Sequence, residues 1–192
     1  MIGRRGALGL AAAAFAASTL AAPAVRAQTS PARTLRFVPH AALSSIDPVW
    51  GTQLVVRNAA MLVWDTLYGL DRTLQPRPQM AEAHEVGDDG LTWTIRLRPG
   101  LRFHDGEPVL AADAVASLER WMARAPMGQE IRALRQELSA PDDRTLRLRL
   151  SAPYPRLLFA LGSIAAPCAF VMPERIARAD PFVEIAEAVG SG

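Results

Sequence analysis

The sequence predicts an α+β fold, and three observations predict it. Two stretches alternate apolar and polar residues with a period of two. In one, Leu91, Trp93, Ile95 and Leu97 oppose Thr92, Thr94, Arg96 and Arg98; in the other, Leu146, Leu148 and Leu150 oppose Arg147 and Arg149. That pattern belongs to strands of a sheet with one buried face. Between them, LAADAVASLERWMARA (110–125) places Ala111, Val115, Leu118 and Met122 on one stripe, with Ala114 and Trp121 at its edges, as an amphipathic helix does. Gly87-Asp88-Asp89-Gly90, Pro99-Gly100 and Pro141-Asp142-Asp143 supply turn chemistry at the ends of these runs.

The remaining elements follow in chain order. Residues 1–27 have the three parts of a secretory signal: Arg4-Arg5, an apolar run from Gly6 to Leu20, and Val25-Arg26-Ala27 for cleavage before Gln28. The arginine pair admits the twin-arginine route alongside Sec, although Gly3, Gly6 and Ala7 fit that pattern only in part. The apolar run is short for a membrane span, and no cysteine follows it to carry a lipid. TLRFVP (34–39) reads as a strand, and 40–52 as a loop broken by Ser44, Ser45, Asp47, Pro48 and Gly51. Residues 53–70 carry the helical period through Val56, Ala60, Val63 and Leu67, with Gly69 as the stop.

Two prolines make 71–83 extended, and HEV-GDDG-LTWTIRLR is a hairpin. RTLRLRLSA (144–152) is a strand, YPRLLFALGSIAA (154–166) a helix and CAFVM (168–172) a short buried strand. Pro173 opens a helix over ERIARA, and DPFVEIAEA (180–188) is another short helix.

Composition excludes some functions. Of 192 residues, 50% are hydrophobic and 21% charged, enough to bury a core. Every basic residue is arginine, and the formal charge of +2 rests on the leader: beyond residue 27 there are 18 arginines against 19 acids. No basic cluster interleaved with aromatics remains, which argues against a nucleic-acid partner. Cys168, the one cysteine, lies in apolar IAAPCAFV and reads as a buried structural thiol.

The chemically suggestive stretch is FHDGEP (103–108). His104, Asp105 and Glu107 invite a metal or acid–base reading, that of a secreted hydrolase or metal enzyme. Yet His40, His84 and His104 do not pair at helical spacing, and neither a calcium loop nor a nucleophile elbow is present. Asp105-Gly106 is a turn dipeptide that launches the 110–125 helix, with Asp113 in its first turn. No catalytic residue, metal site or cofactor is expected.

Read together, these segments resemble one family. LVWDTLYGLDRTLQPRPQMAEAHEVGDDGLTWTIRLRPGLRFHDGEPVLAADAVASLERW, then RTLRLRLSAPYPRLLFAL, then VMPERIARADPFVEIAEAVGSG match in order the extracellular solute-binding proteins of bacterial ABC importers for peptides and nickel, family 5. The resemblance implies an α/β periplasmic binding protein type II-like fold of two lobes, with an extra domain of hairpins and helices in the first. Residues 28–50 would be the first strand and loop of the main lobe, 51–187 the extra domain, and 188–192 the start of the return. Family members are longer, so the chain is expected to stop short of a second lobe.

The resemblance further implies a monomeric, periplasmic protein without enzymatic activity. It would capture a peptide or similar small solute by hinge closure and deliver it to permease subunits in the inner membrane. The loop after the first strand would reach the ligand through Ser44, Ser45, Asp47 and Trp50. The rivals are the hydrolase at His104 and a truncated fragment that binds nothing.

Overall fold

Two hairpins and a helix laid across them organise the molecule. The structure, a computed structural model, describes residues 38–192, of which Pro39–Gly192 form one unit. The leader and most of the 34–39 strand lie outside the described residues.

The sheet has four antiparallel strands in the order β3-β4-β6-β5: β3 (Ala81–Val86), β4 (Thr92–Leu97), β5 (Arg135–Asp142) and β6 (Thr145–Leu150). Its register sets Val86 opposite Trp93, Trp93 opposite Leu148 and Ile95 opposite Leu146. The predicted alternation is realised: Ile95, Leu97, Leu146, Leu148 and Leu150 are fully buried, while Arg96, Arg98, Arg147 and Arg149 are exposed. The β3–β4 turn closes through Gly90, whose N–H bonds Gly87 and whose φ of 66° suits glycine.

Helix α2 (Ala111–Arg124) packs on β5 and β6. It places Leu118, Trp121 and Met122 against the sheet leucines, and α3 (Pro126–Leu134) adds Ile131. Each such side chain removed from water is worth about 1.5–3 kcal/mol. The sequence patterns point to no element over 126–140. Pro126 there opens α3, a position where its missing N–H costs nothing. Strand β5 is half-buried along much of its length, without the alternation that would reveal it.

Four expectations are corrected. The 53–70 helix is only α1 (Leu54–Ala60), and Gly69 lies inside a strand rather than ending a helix. The chain leaves the helix because the next backbone groups bond elsewhere: Gly192 N–H to Val63 O and Val171 N–H to Asp65 O. Tyr68–Leu70 then form β1, paired with β2 (Pro76–Pro78) around a turn organised by the Asp71 carboxylate. The 154–166 helix shrinks to α4 (Leu157–Gly162). CAFVM is buried but makes only an isolated bridge, Phe170 to Thr66, and 180–188 is not helical. Helix α5 (Glu174–Ala177) follows Pro173 as predicted.

A second apolar cluster lies under the irregular part of the chain. Val49, Trp64, Cys168, Phe170, Met172, Ile176 and Ile185 form it with Ala60 of α1 and Ala116 of α2. No helix among the described residues is long and apolar enough to cross a membrane.

Candidate functional site

Asp47 is fully buried and organises the 43–50 loop. Its Oδ1 accepts the N–H groups of Val49 (2.8 Å) and Trp50 (3.0 Å), folding 47–50 into a tight turn. Its Oδ2 accepts the N–H of Ile185 (3.0 Å), 138 residues away, and an Arg120 Nη2–H (2.7 Å). Both side chains of that ion pair are 0% exposed. Arg120 donates further to the carbonyls of Ala179, Asp180 and Val183, at 2.8–2.9 Å, and only its Nε lacks a partner.

This arrangement sets two chain segments side by side. Leu43–Ile46 and Glu184–Ala186 line an open groove of ≈ 400 Å³. Ser44 and Ser45 are on its wall. Ser44 is exposed and its hydroxyl donates to Gln53, whereas Ser45 Oγ accepts the Asp47 N–H. Trp50 is 39% exposed, and its ring is already covered by the Arg124 guanidinium at 4.9 Å; Phe182 flanks the same cation at 5.1 Å. Of the four residues expected to face a ligand, then, the structure sets Ser44 and Ser45 on a groove and Trp50 at the surface, apart from the groove lining. It turns Asp47 inward.

A second cavity, of ≈ 280 Å³, lies between the α1–β1 connection and the loop after α4, with Trp64, Asp65, Thr66, Gln79, Ser163 and Cys168 in its wall. Cys168 is buried, and burial pushes its thiol up to about 11.

The FHDGEP stretch is a turn closed by Gly106 N–H to Phe103 O, with Gly106 at φ 90°. Its polar groups bond the C-terminal segment. His104 N–H donates to Gly190 O, and its ring nitrogens lie 3.0 Å from Gly192 O and 3.4 Å from Gly190 N. Arg175 joins Asp105 to Glu187. Gly190 is seated so tightly that an added Cβ would stand 1.8 Å from Val63 O. Among the described residues, no group of three or more His, Cys, Asp or Glu is disposed to hold a metal ion.

Sequence reasoning missed Arg120 and the 179–186 segment. A signal existed: Asp113, Ser117, Arg120 and Arg124 recur at helical spacing along α2, beside its apolar stripe. Each bonds a distant segment. Asp113 Oδ1 accepts Glu174 N–H, while its Oδ2 accepts Leu110 N–H. Ser117 bonds both the N–H and the carbonyl of Met172. Arg120 holds Asp47 and 179–183, and Arg124 reaches Trp50 O at 3.4 Å.

Residues 75–192 match the family model of bacterial extracellular solute-binding proteins, family 5, middle part. The chain is 40% identical over 181 residues to a probable peptide ABC transporter periplasmic-binding protein, y4tO, of Sinorhizobium fredii; the match covers 92% of this chain and 33% of that protein. It is 28% identical over 127 residues to the glutathione-binding protein GsiB of Pectobacterium atrosepticum, covering 64% of this chain and 24% of that one.

Among solved structures, it superimposes on AgaA of A. tumefacien R10, in complex with agropinic acid, with a TM-score of 0.66 and 28% identity, over 78% of this chain and 30% of that one. It superimposes on Listeria monocytogenes OppA bound to peptide with a TM-score of 0.60 and 26% identity, over 71% of this chain and 30% of that one. The chain thus spans about a third or less of the length of these relatives.

Proposed function

This chain belongs to the bacterial extracellular solute-binding proteins of family 5, and from that membership we propose that it is the ligand-capturing part of an ABC importer's binding protein. The single observation that supports a binding site in this part of the protein is the groove between Leu43–Ile46 and Glu184–Ala186. Its walls are irregular backbone held rigid by the Asp47–Arg120 pair, so polar groups can face a ligand without first being ordered.

In this reading Ser44 and Ser45 bond a peptide or similar small solute. Trp50, set apart from the groove lining, meets only a solute that extends beyond the groove, and Asp47 acts from below by fixing the loop. Residues 28–50 and 188–192 belong to the main lobe and 51–187 to the extra domain. The ligand is then enclosed by hinge closure and passed to permease subunits. The protein acts in the periplasm as a monomer, exported by the Sec or twin-arginine signal at 1–27, and performs no chemistry. His104 and Asp105 support that last point, since their side chains serve the turn and the return segment.

Calorimetric titration of the purified chain with the nonapeptide RPPGFSPFR, the tetrapeptide STSA and glutathione tests the proposal. The two peptides are those in the complexes of Haemophilus influenzae OppA and Helicobacter pylori DppA, which share the fold, and glutathione is named with GsiB. Saturable heat with at least one of them is expected, and it should weaken in a Ser44→Ala/Ser45→Ala variant. Flat titrations with all three would contradict the reading.

A further inference from the structure

We infer that Arg120 is a positioning residue for the groove: from α2 it holds both walls in register, through Asp47 on one side and the 179–183 backbone on the other. The inference rests on the reading of the groove as a ligand site, and its geometry comes from two side chains that are not themselves in the groove lining. Arg120 makes no hydrogen bond to a lining residue; it acts through three carbonyls and one carboxylate.

The Asp47 carboxylate divides its labour. Oδ1 shapes the first wall's turn at Val49 and Trp50, while Oδ2 takes Ile185, the central residue of the second wall. Without Arg120, a carboxylate so buried would lack its counter-charge, and the two walls would lose their common anchor. A fully desolvated pair with nearly every donor and acceptor used is a costly device for stability alone, since apolar residues of similar volume serve as well or better. What it supplies that apolar packing does not is a fixed register between segments 138 residues apart.

The neighbouring polar residues of α2 extend the same device. Asp113, Ser117 and Arg120 meet Glu174, Met172 and 179–183, so the helix fixes the 172–183 segment at three points. Ile185 and the groove wall come immediately after the 179–183 attachment.

The test separates positioning from bulk stability. In Asp47→Asn/Arg120→Met, both charges leave together, so no unpaired ion is buried. The carbonyl oxygen of the introduced amide can still accept the N–H groups of Val49 and Trp50, but its nitrogen faces the Ile185 N–H. Amide hydrogen exchange of wild type and variant is compared at Ile185 and at β4 and β6. Exchange at Ile185 is expected to rise about tenfold or more beyond any change in the sheet, as loss of a charge-assisted hydrogen bond implies. A Ser117→Ala variant serves as a control, since it removes one of these three attachments and leaves the pair intact; Ile185 should there follow the sheet.

In parallel, RPPGFSPFR, STSA and glutathione are titrated into both proteins. Binding by wild type that weakens about tenfold in the double variant supports positioning. Unchanged affinity, or Ile185 exchange that merely tracks the sheet, would overturn it. If no probe binds wild type, the ligand reading fails, and the exchange result still decides whether the Asp47–Arg120 pair holds the walls in register.

Discussion

The four-stranded sheet and the irregular segments at 43–50 and 163–192 pack on the same helix, yet they are held by different physics. The sheet is held by apolar side chains repeating with period two against an apolar stripe of α2, and its polar residues mostly face water. The irregular segments are held by polar side chains bonding distant backbone: Asp47 to Ile185, Arg120 to 179–183, Ser117 to Met172, Trp64 to Val189. The first kind of order is dense and tolerant, because many contacts share the load. The second is sparse and exacting, because single groups hold whole segments. The groove belongs to the second kind, as a site of fixed geometry on irregular backbone requires.

The contrast is sharpest at the buried ion pair. Asp47→Ala leaves Arg120 charged, buried and unpaired, and is expected to cost about 3–5 kcal/mol in urea unfolding. If the loss stayed under about 1 kcal/mol, the sparse region would not depend on single groups, and the contrast would dissolve. In the sheet, Leu148→Ala removes a fully buried side chain and should cost about 2–5 kcal/mol through its cavity. The two differ in where the damage appears: Leu148→Ala should weaken amide protection throughout the sheet, and Asp47→Ala first at 183–186.

Gly190→Ala comes next. Its Cβ would overlap Val63 O, so the Val189–Gly192 segment must shift, at about 1–3 kcal/mol for a forced backbone movement. Loss of the Trp64–Val189 bond should be visible as a change in tryptophan fluorescence.

Cys168 gives a pH-dependent handle on the second apolar cluster. Burial raises its thiol from 9.0 to about 11, so the folded state disfavours the thiolate. Stability contributed by the neutral thiol is therefore present below pH 9 and lost as pH rises toward 11. At pH 8, labelling by a disulfide reagent should be slow in the native protein and fast in urea; fast native labelling would mean the cluster opens readily.

The smallest effect lies at Leu74, an exposed residue at φ 60° in the β1–β2 turn. Leu74→Asn should stabilise by about 0.5–1 kcal/mol, because asparagine tolerates the left-handed region better. Thermal unfolding would show it.

The same contrast explains what is legible in the sequence. The 91–97 and 146–150 strands, the 111–124 helix and the Asp105-Gly106 and Gly87–Gly90 turns are written in local periods and turn residues, and the structure realises each of them. The 53–70 pattern overstates its helix because Val63 and Leu67 keep the helical period, while the bonds that pull 63–66 away come from Gly192 and Val171. The 180–188 helix fails for the same reason: Val183 O and Ile185 N–H are taken by Arg120 and Asp47. At the site, Ser44, Ser45, Asp47 and Trp50 stand out only by their position in a loop. That Asp47 turns inward cannot be read without its partner on α2. Helical spacing of Asp113, Ser117, Arg120 and Arg124 is the available clue, and it looks like a solvated face until the segment it bonds is known.

Amide hydrogen exchange of the wild-type chain, with and without saturating RPPGFSPFR, tests the central claim most directly. The account predicts added protection concentrated at Ser44–Trp50 and Glu184–Ala186, with the 103–108 turn and the exposed sheet face unchanged. Protection that appears instead at His104–Glu107, or nowhere on the groove while the peptide binds, would contradict it.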